Sequence, residues 1–238
     1  MNASTASKSS TCWLFLVTVA FTAALPILYH SLPDHQILAR MPQAVNRQLL
    51  YQGFSLFGTF VFLFILNKSR PSQLQQYFQK GSLKAKIKPA PLAGIKPKDG
   101  QNWMHYGINF AVVITLVTTS VIYLQHSNLA YEHLALVLPL SLLFALINSF
   151  VEESITRLGV VVSLKELLPD HLIALISGGL FGMVHYWGTP GGVSGVFLAF
   201  FLGWLLAKSI LETKGIFGAW LIHFLQDIVI ITAIMSST

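Results

Sequence analysis

LALVLPLSLLFALINSFVEESITRL, residues 134–158, is the stretch that decides the fold. It runs from Leu134 to Val151 without a charge, and then Glu152, Glu153 and Arg157 arrive together. A hydrocarbon core about 30 Å thick takes about 20 apolar residues of helix, so the stretch is long enough to enter a bilayer. It shows no period-2 alternation, which disfavours a β-barrel strand. Lipid cannot satisfy an open backbone, so helix is the expected state.

Six further apolar blocks surround this one: residues 12–29, 49–66, 106–124, 171–187, 193–210 and 216–235. The whole chain of 238 residues is 54% hydrophobic and only 10% charged, against about 25% charged in average soluble domains. Its mean hydropathy is +0.64. The expected fold is therefore an all-α polytopic bundle of about seven transmembrane helices. The 134–158 block is expected to run on past Leu158. Residues 1–11 are polar and Ser/Thr-rich, which predicts a disordered tail. The first block is read as an uncleaved span. The lone Cys12 excludes an intrachain disulfide.

Charge sets the expected topology. Between residues 67 and 100 lie Lys68, Arg70, Lys80, Lys84, Lys86, Lys88, Lys96 and Lys98, against one acid, Asp99. Short cytoplasmic loops retain Lys and Arg, so this loop is placed inside, with the N-terminus cytoplasmic and the C-terminus outside. The residue 126–133 loop then lies outside. A cell (inner) membrane is the expected location. The same lysines suit anionic head groups. With almost no aromatic interleaving and no nucleic-acid fold, no nucleic-acid partner is expected. Residues 71–80 can form a surface helix with Leu74, Tyr77 and Phe78 on one face. Pro89, Pro91 and Pro97 make residues 86–98 a loop. The chain thus divides into a tail (1–11), two leading spans (12–66), a basic loop (67–102) and a five-helix core (103–238).

Ionisable groups inside spans are costly and mark function by default. There are three clusters: Glu152, Glu153 and Arg157; His185; His223 and Asp227. Glu153 and Arg157 are four residues apart with the acid first, so they can pair on one helix face. Glu152 then points about 100° away, without a local cation. His223 and Asp227 share a face by the same spacing. A helical hairpin turning at Leu168, Pro169 and Asp170 would bring the clusters to one level. Glu152 lies 17 residues before Pro169 and His185 lies 16 after it, each about 25 Å from the turn. His223, eight residues after Gly215, is about 12 Å from the same side, nearer the cytoplasm.

Glu152-Glu153-x-x-x-Arg157, Phe181-x-x-x-His185 and His223-x-x-x-Asp227 stand in the order and spacing of the CAAX-protease and bacteriocin-processing family, which this chain resembles over about its last hundred residues. Members are intramembrane endopeptidases, so the resemblance implies a protein or peptide substrate within the membrane. It implies Glu152 as the carboxylate that activates water, His185 as its assistant, and His223 with Asp227 as the oxyanion holders. Arg157 is implied to be structural, through Glu153. The family position of Asp227 takes Asn or Asp. Asn can donate to an oxyanion, whereas ionised Asp only accepts. Asp227 is therefore expected to be protonated, to orient His223, or to bind a metal.

Other chemistry stays open at the level of sequence. Glu152, His185, His223 and Asp227 could ligate Zn²⁺ with an open position for water, although the HExxH helix of zinc proteases is absent. No cofactor is the favoured reading. A proton-coupled carrier would use the same residues, with Gly188–Gly192 as a broken-helix element, but no paired half-repeats are found. A silent immunity or scaffold protein would also keep the motifs.

Overall fold

A computed structural model of the protein describes residues 3–39, 41–125 and 134–236. Helices account for the architecture: α1 (Ala3–Ser31), α2 (Gln43–Ser69), α3 (Pro71–Tyr77), α4 (Trp103–Gln125), α5 (Leu134–Glu152), α6 (Gly159–Leu164), α7 (Asp170–Val184), α8 (Gly192–Thr213) and α9 (Phe217–Ser236). A π-helical segment, Glu153–Leu158, joins α5 to α6 without a break, and a 3₁₀ turn, His185–Trp187, follows α7. The fourth apolar block therefore does run past Leu158, to Leu164.

Six of these helical stretches are long and apolar enough to cross a membrane. The fifth predicted span is the exception. α7 has 15 residues, about 22 Å of helix, short of the ~30 Å core. The 3₁₀ turn His185–Trp187 and the Gly- and Pro-rich turn at residues 188–192 follow it, and α8 starts at Gly192. The N-terminal expectation also changes, since α1 begins at Ala3 where a disordered tail was predicted. Residues 3–25 contain no Gly or Pro, so nothing stops the span's helix from propagating back through its polar leader. The predicted outer loop at residues 126–133 lies outside the described residues.

The helix ends sort into two levels. At one end sits the basic loop, with the α6–α7 turn and the α8–α9 turn. Arg70 pairs with Glu166 there, Ser82 N donates to Thr213 O (2.8 Å), and Trp103 Nε1 donates to Glu212 (2.9 Å). The loop is not free coil, because Ile87 and Ile95 bury against Trp103 and Leu205. In α3, Leu74 and Tyr77 are buried, whereas Phe78, just past its end, is exposed. At the opposite end lie the α1–α2 loop, where Arg47 pairs with Asp34, and the α7–α8 turn. Hydrogen bonding to Arg47 holds the Asp34 carboxyl below its ordinary value.

α7 and α8 form the tightest antiparallel pair. A Cβ on Gly178 would fall 2.8 Å from Phe200 O, and one on Gly182 2.8 Å from Val196 O. Small residues allow such backbone approach in membranes. Here they set the height of His185, one turn beyond Phe181.

Candidate functional site

The site is built from the junction of α5 with the π-helical segment, the end of α7 and the middle of α9. A π turn closes i→i+5 bonds and is frequent at functional sites. Gly159 N–H reaches Ser154 O in this way. The Glu-Glu-x-x-x-Arg motif lies across this widened turn. Glu153 and Arg157 are fully buried, with Arg157 Nε 3.1 Å from Glu153 Oε1. The pairing read from their spacing is therefore made. The guanidinium carbon also lies 3.4 Å from the Phe181 ring centroid, a cation–π contact between two buried groups. Thr156 ties the same turn to α7, because Ser177 Oγ donates to Thr156 O at 2.9 Å.

Glu153 does more than hold Arg157. His223 Nδ1 lies 2.8 Å from Glu153 Oε1, so Nδ1–H donates to the carboxylate. The other imidazole nitrogen, Nε2, is 3.4 Å from Glu152 Oε2 and 3.5 Å from Asp227 Oδ1. Three carboxylates thus surround one imidazole. Glu152 lines a cavity of about 320 Å³, as do His185, His223 and Asp227. Its Oε2 has no hydrogen-bond partner among the described residues.

His185 reaches the site from the other wall. Its Nδ1 is 2.8 Å from Phe181 O. A carbonyl can only accept, so Nδ1 carries the proton and Nε2 of the neutral ring is an acceptor. The Phe181 ring sits 4.0 Å from His185 and 5.6 Å from His223, centroid to centroid. The structure therefore gathers Glu152, Glu153, Arg157, His223 and Asp227 in mutual contact. His185 lines the same cavity beside Phe181, and its ring hydrogen bond goes to the Phe181 carbonyl.

Asn148 Nδ2 donates to Asp227 Oδ2 at 3.1 Å, so Asp227 acts here as an acceptor. Gln52 Nε2 in turn donates to Asn148 Oδ1 (3.3 Å) and to Gln48 Oε1 (3.1 Å). α2 thereby joins the site, and Gln48 and Tyr51 line the same cavity. Sequence reasoning passed over these amides because it searched for charge. The available signal was spacing: Asn148 lies four residues before Glu152, on one helix face, as Gln48 does before Gln52.

Among the described residues, no group of three His, Cys, Asp or Glu side chains is arranged to hold a metal ion.

Fold and site together define the class: a polytopic helical membrane protein with a buried carboxylate–imidazole centre. Residues 133–229 match the family model described as type II CAAX prenyl endopeptidase Rce1-like, and over that segment the chain is similar to this family. The matched family is one of CAAX-type proteases. No curated protein and no solved structure matches the chain.

Proposed function

We propose that the protein hydrolyses a peptide bond of a membrane-associated or lipidated protein, with Glu152 as general base. Water held between the Glu152 carboxylate and His185 Nε2 loses a proton to Glu152 as its oxygen attacks the scissile carbonyl carbon. Charge develops on the carbonyl oxygen, and His223 donates to it from Nε2. A ring that donates from Nε2 as well as to Glu153 is an imidazolium, which suits its three carboxylate neighbours. Collapse of the tetrahedral intermediate breaks the C–N bond, and the proton on Glu152 passes to the leaving nitrogen. Asp227 orients His223, and Arg157 holds Glu153.

The single observation that supports this reading is the bridging position of His223. One nitrogen is anchored on Glu153 and the other faces Glu152 at the cavity wall. In this reading the reaction uses no metal. The apolar cavity suits a substrate carrying a lipid chain or an apolar peptide segment. Substrate trapping tests it: Glu152→Gln keeps the shape and removes the base. The variant should retain, uncleaved, a membrane protein from native membranes that the parent protein releases in two pieces. Release of cut product by the variant would overturn the assignment.

A further inference from the structure

Three side-chain amides on α5 and α2 stand in series behind Asp227, and its carboxylate fixes which way each one points. The carboxylate accepts, so Asn148 turns Nδ2 toward it, 3.1 Å from Oδ2. Asn148 Oδ1 then faces α2 and accepts from Gln52 Nε2 at 3.3 Å. The same Nε2 donates to Gln48 Oε1 at 3.1 Å, so Gln48 presents its oxygen to the series. The Gln48 amide nitrogen is left over. It donates to no described residue, although Gln48 is only 3% exposed. Tyr51 lies three residues further along α2, on the same face. Its ring packs edge-on against Tyr29, with centroids 5.4 Å apart. Its hydroxyl makes no hydrogen bond to a described residue, and its electrostatic neighbours include Glu152 and Asp227. Gln48 and Tyr51 both line the cavity that Glu152, His223 and Asp227 share. Neither Gln48 Nε2 nor Tyr51 Oη is among the polar atoms sealed from all surface, so both donors open on that cavity.

We propose that Gln48 Nε2 and Tyr51 Oη form a substrate subsite on α2, which donates to backbone carbonyl groups of an extended polypeptide segment. A peptide carbonyl brought into a largely apolar cavity has to find a donor, and these two donors have no acceptor of their own. The spacing fits. Positions three apart on a helix have Cβ atoms about 5–6 Å apart, and carbonyl groups on one side of an extended strand recur about every 6.6 Å. The carbonyl groups of an intact helix are already bonded within it, so the subsite selects a segment that is unwound around its scissile bond. Both residues lie outside residues 133–229, the segment that matches the family model, so a leading span supplies this contact. The donor pair stands on geometry alone, whereas its use on a substrate rests on the endopeptidase reading.

Binding of a fluorescein-labelled, membrane-anchored peptide reporter to Glu152→Gln protein in nanodiscs separates recognition from turnover. In that background Tyr51→Phe removes only the hydroxyl and keeps the ring on Tyr29. Kd should rise about tenfold, the scale of one lost hydrogen bond, while the thermal midpoint stays unchanged. Gln48→Met should weaken binding by a similar factor, and if it folds poorly Tyr51→Phe alone decides. With Glu152 intact, the loss should fall in KM rather than kcat, a split that general loosening of the site does not produce. Reporter analogues carrying an E-alkene in place of one amide at a time identify the carbonyl. One analogue should bind the Glu152→Gln protein about tenfold more weakly, with little further loss on adding Tyr51→Phe. Unchanged Kd in both variants, or full additivity for every analogue, would overturn the subsite and leave the endopeptidase reading standing if the parent protein still cleaves the reporter. Absence of both binding by Glu152→Gln and cleavage by the parent overturns the two together.

Discussion

Replacing Asn148 with Leu tests the arrangement around Asp227. The change keeps the number and branching of side-chain heavy atoms and removes the donor that lies 3.1 Å from Asp227 Oδ2. Hydrogen bonds to charged groups contribute about 1.5–3 kcal/mol. At about 1.36 kcal/mol per tenfold in rate, losing that support in the transition state should lower kcat/KM by about tenfold to about a hundredfold. The assay is cleavage of a membrane-anchored peptide reporter in proteoliposomes, with the thermal midpoint measured alongside. A purely structural role would lower stability and leave the activity of the folded fraction unchanged. The pair is isolated by a double-mutant cycle with Asp227→Asn. Once Asp227 is neutral, Asn148→Leu should cost much less than it does in the parent. Parent-like kcat/KM for Asn148→Leu, or full additivity in the cycle, would refute the reasoning.

Three other outcomes follow from the geometry. Arg157→Leu leaves the fully buried Glu153 without its cation, a loss of about 3–5 kcal/mol, and should abolish accumulation of folded protein, as read by size-exclusion recovery; Arg157→Lys should not restore it, because Lys lacks the planar group that lies on Phe181. Gly182→Ala would place a Cβ 2.8 Å from Val196 O; overpacking of this kind costs about 1–3 kcal/mol and should lower the thermal midpoint while shifting His185 enough to reduce kcat. Chelation with EDTA or 1,10-phenanthroline should leave cleavage unchanged, and restoration of chelator-lost activity by Zn²⁺ would overturn the metal-free proposal.

The membrane-spanning elements were legible because each apolar block is long enough to declare itself against water. α7 was legible as a helix, although its close backbone approach to α8 at Gly178 and Gly182 shows only in the packed bundle. Helical spacing predicted the Glu153–Arg157 pair, and the hairpin count brought Glu152 and His185 to one level. It could not show that Phe181 stands beside His185, nor that α5 passes through a π turn at the motif. The amides of Asn148 and Gln52 carry no charge, and their partners lie 79 and 96 residues away in sequence. Only the packed bundle connects them to Asp227.

The central claim is that Glu152 takes the proton of the attacking water. Purified parent and Glu152→Gln proteins, matched for thermal midpoint, can be compared in single-turnover cleavage of the same reporter. Product formation by Glu152→Gln should fall to the uncatalysed background, with binding of the reporter retained. Cleavage by Glu152→Gln at the parental rate would contradict the account.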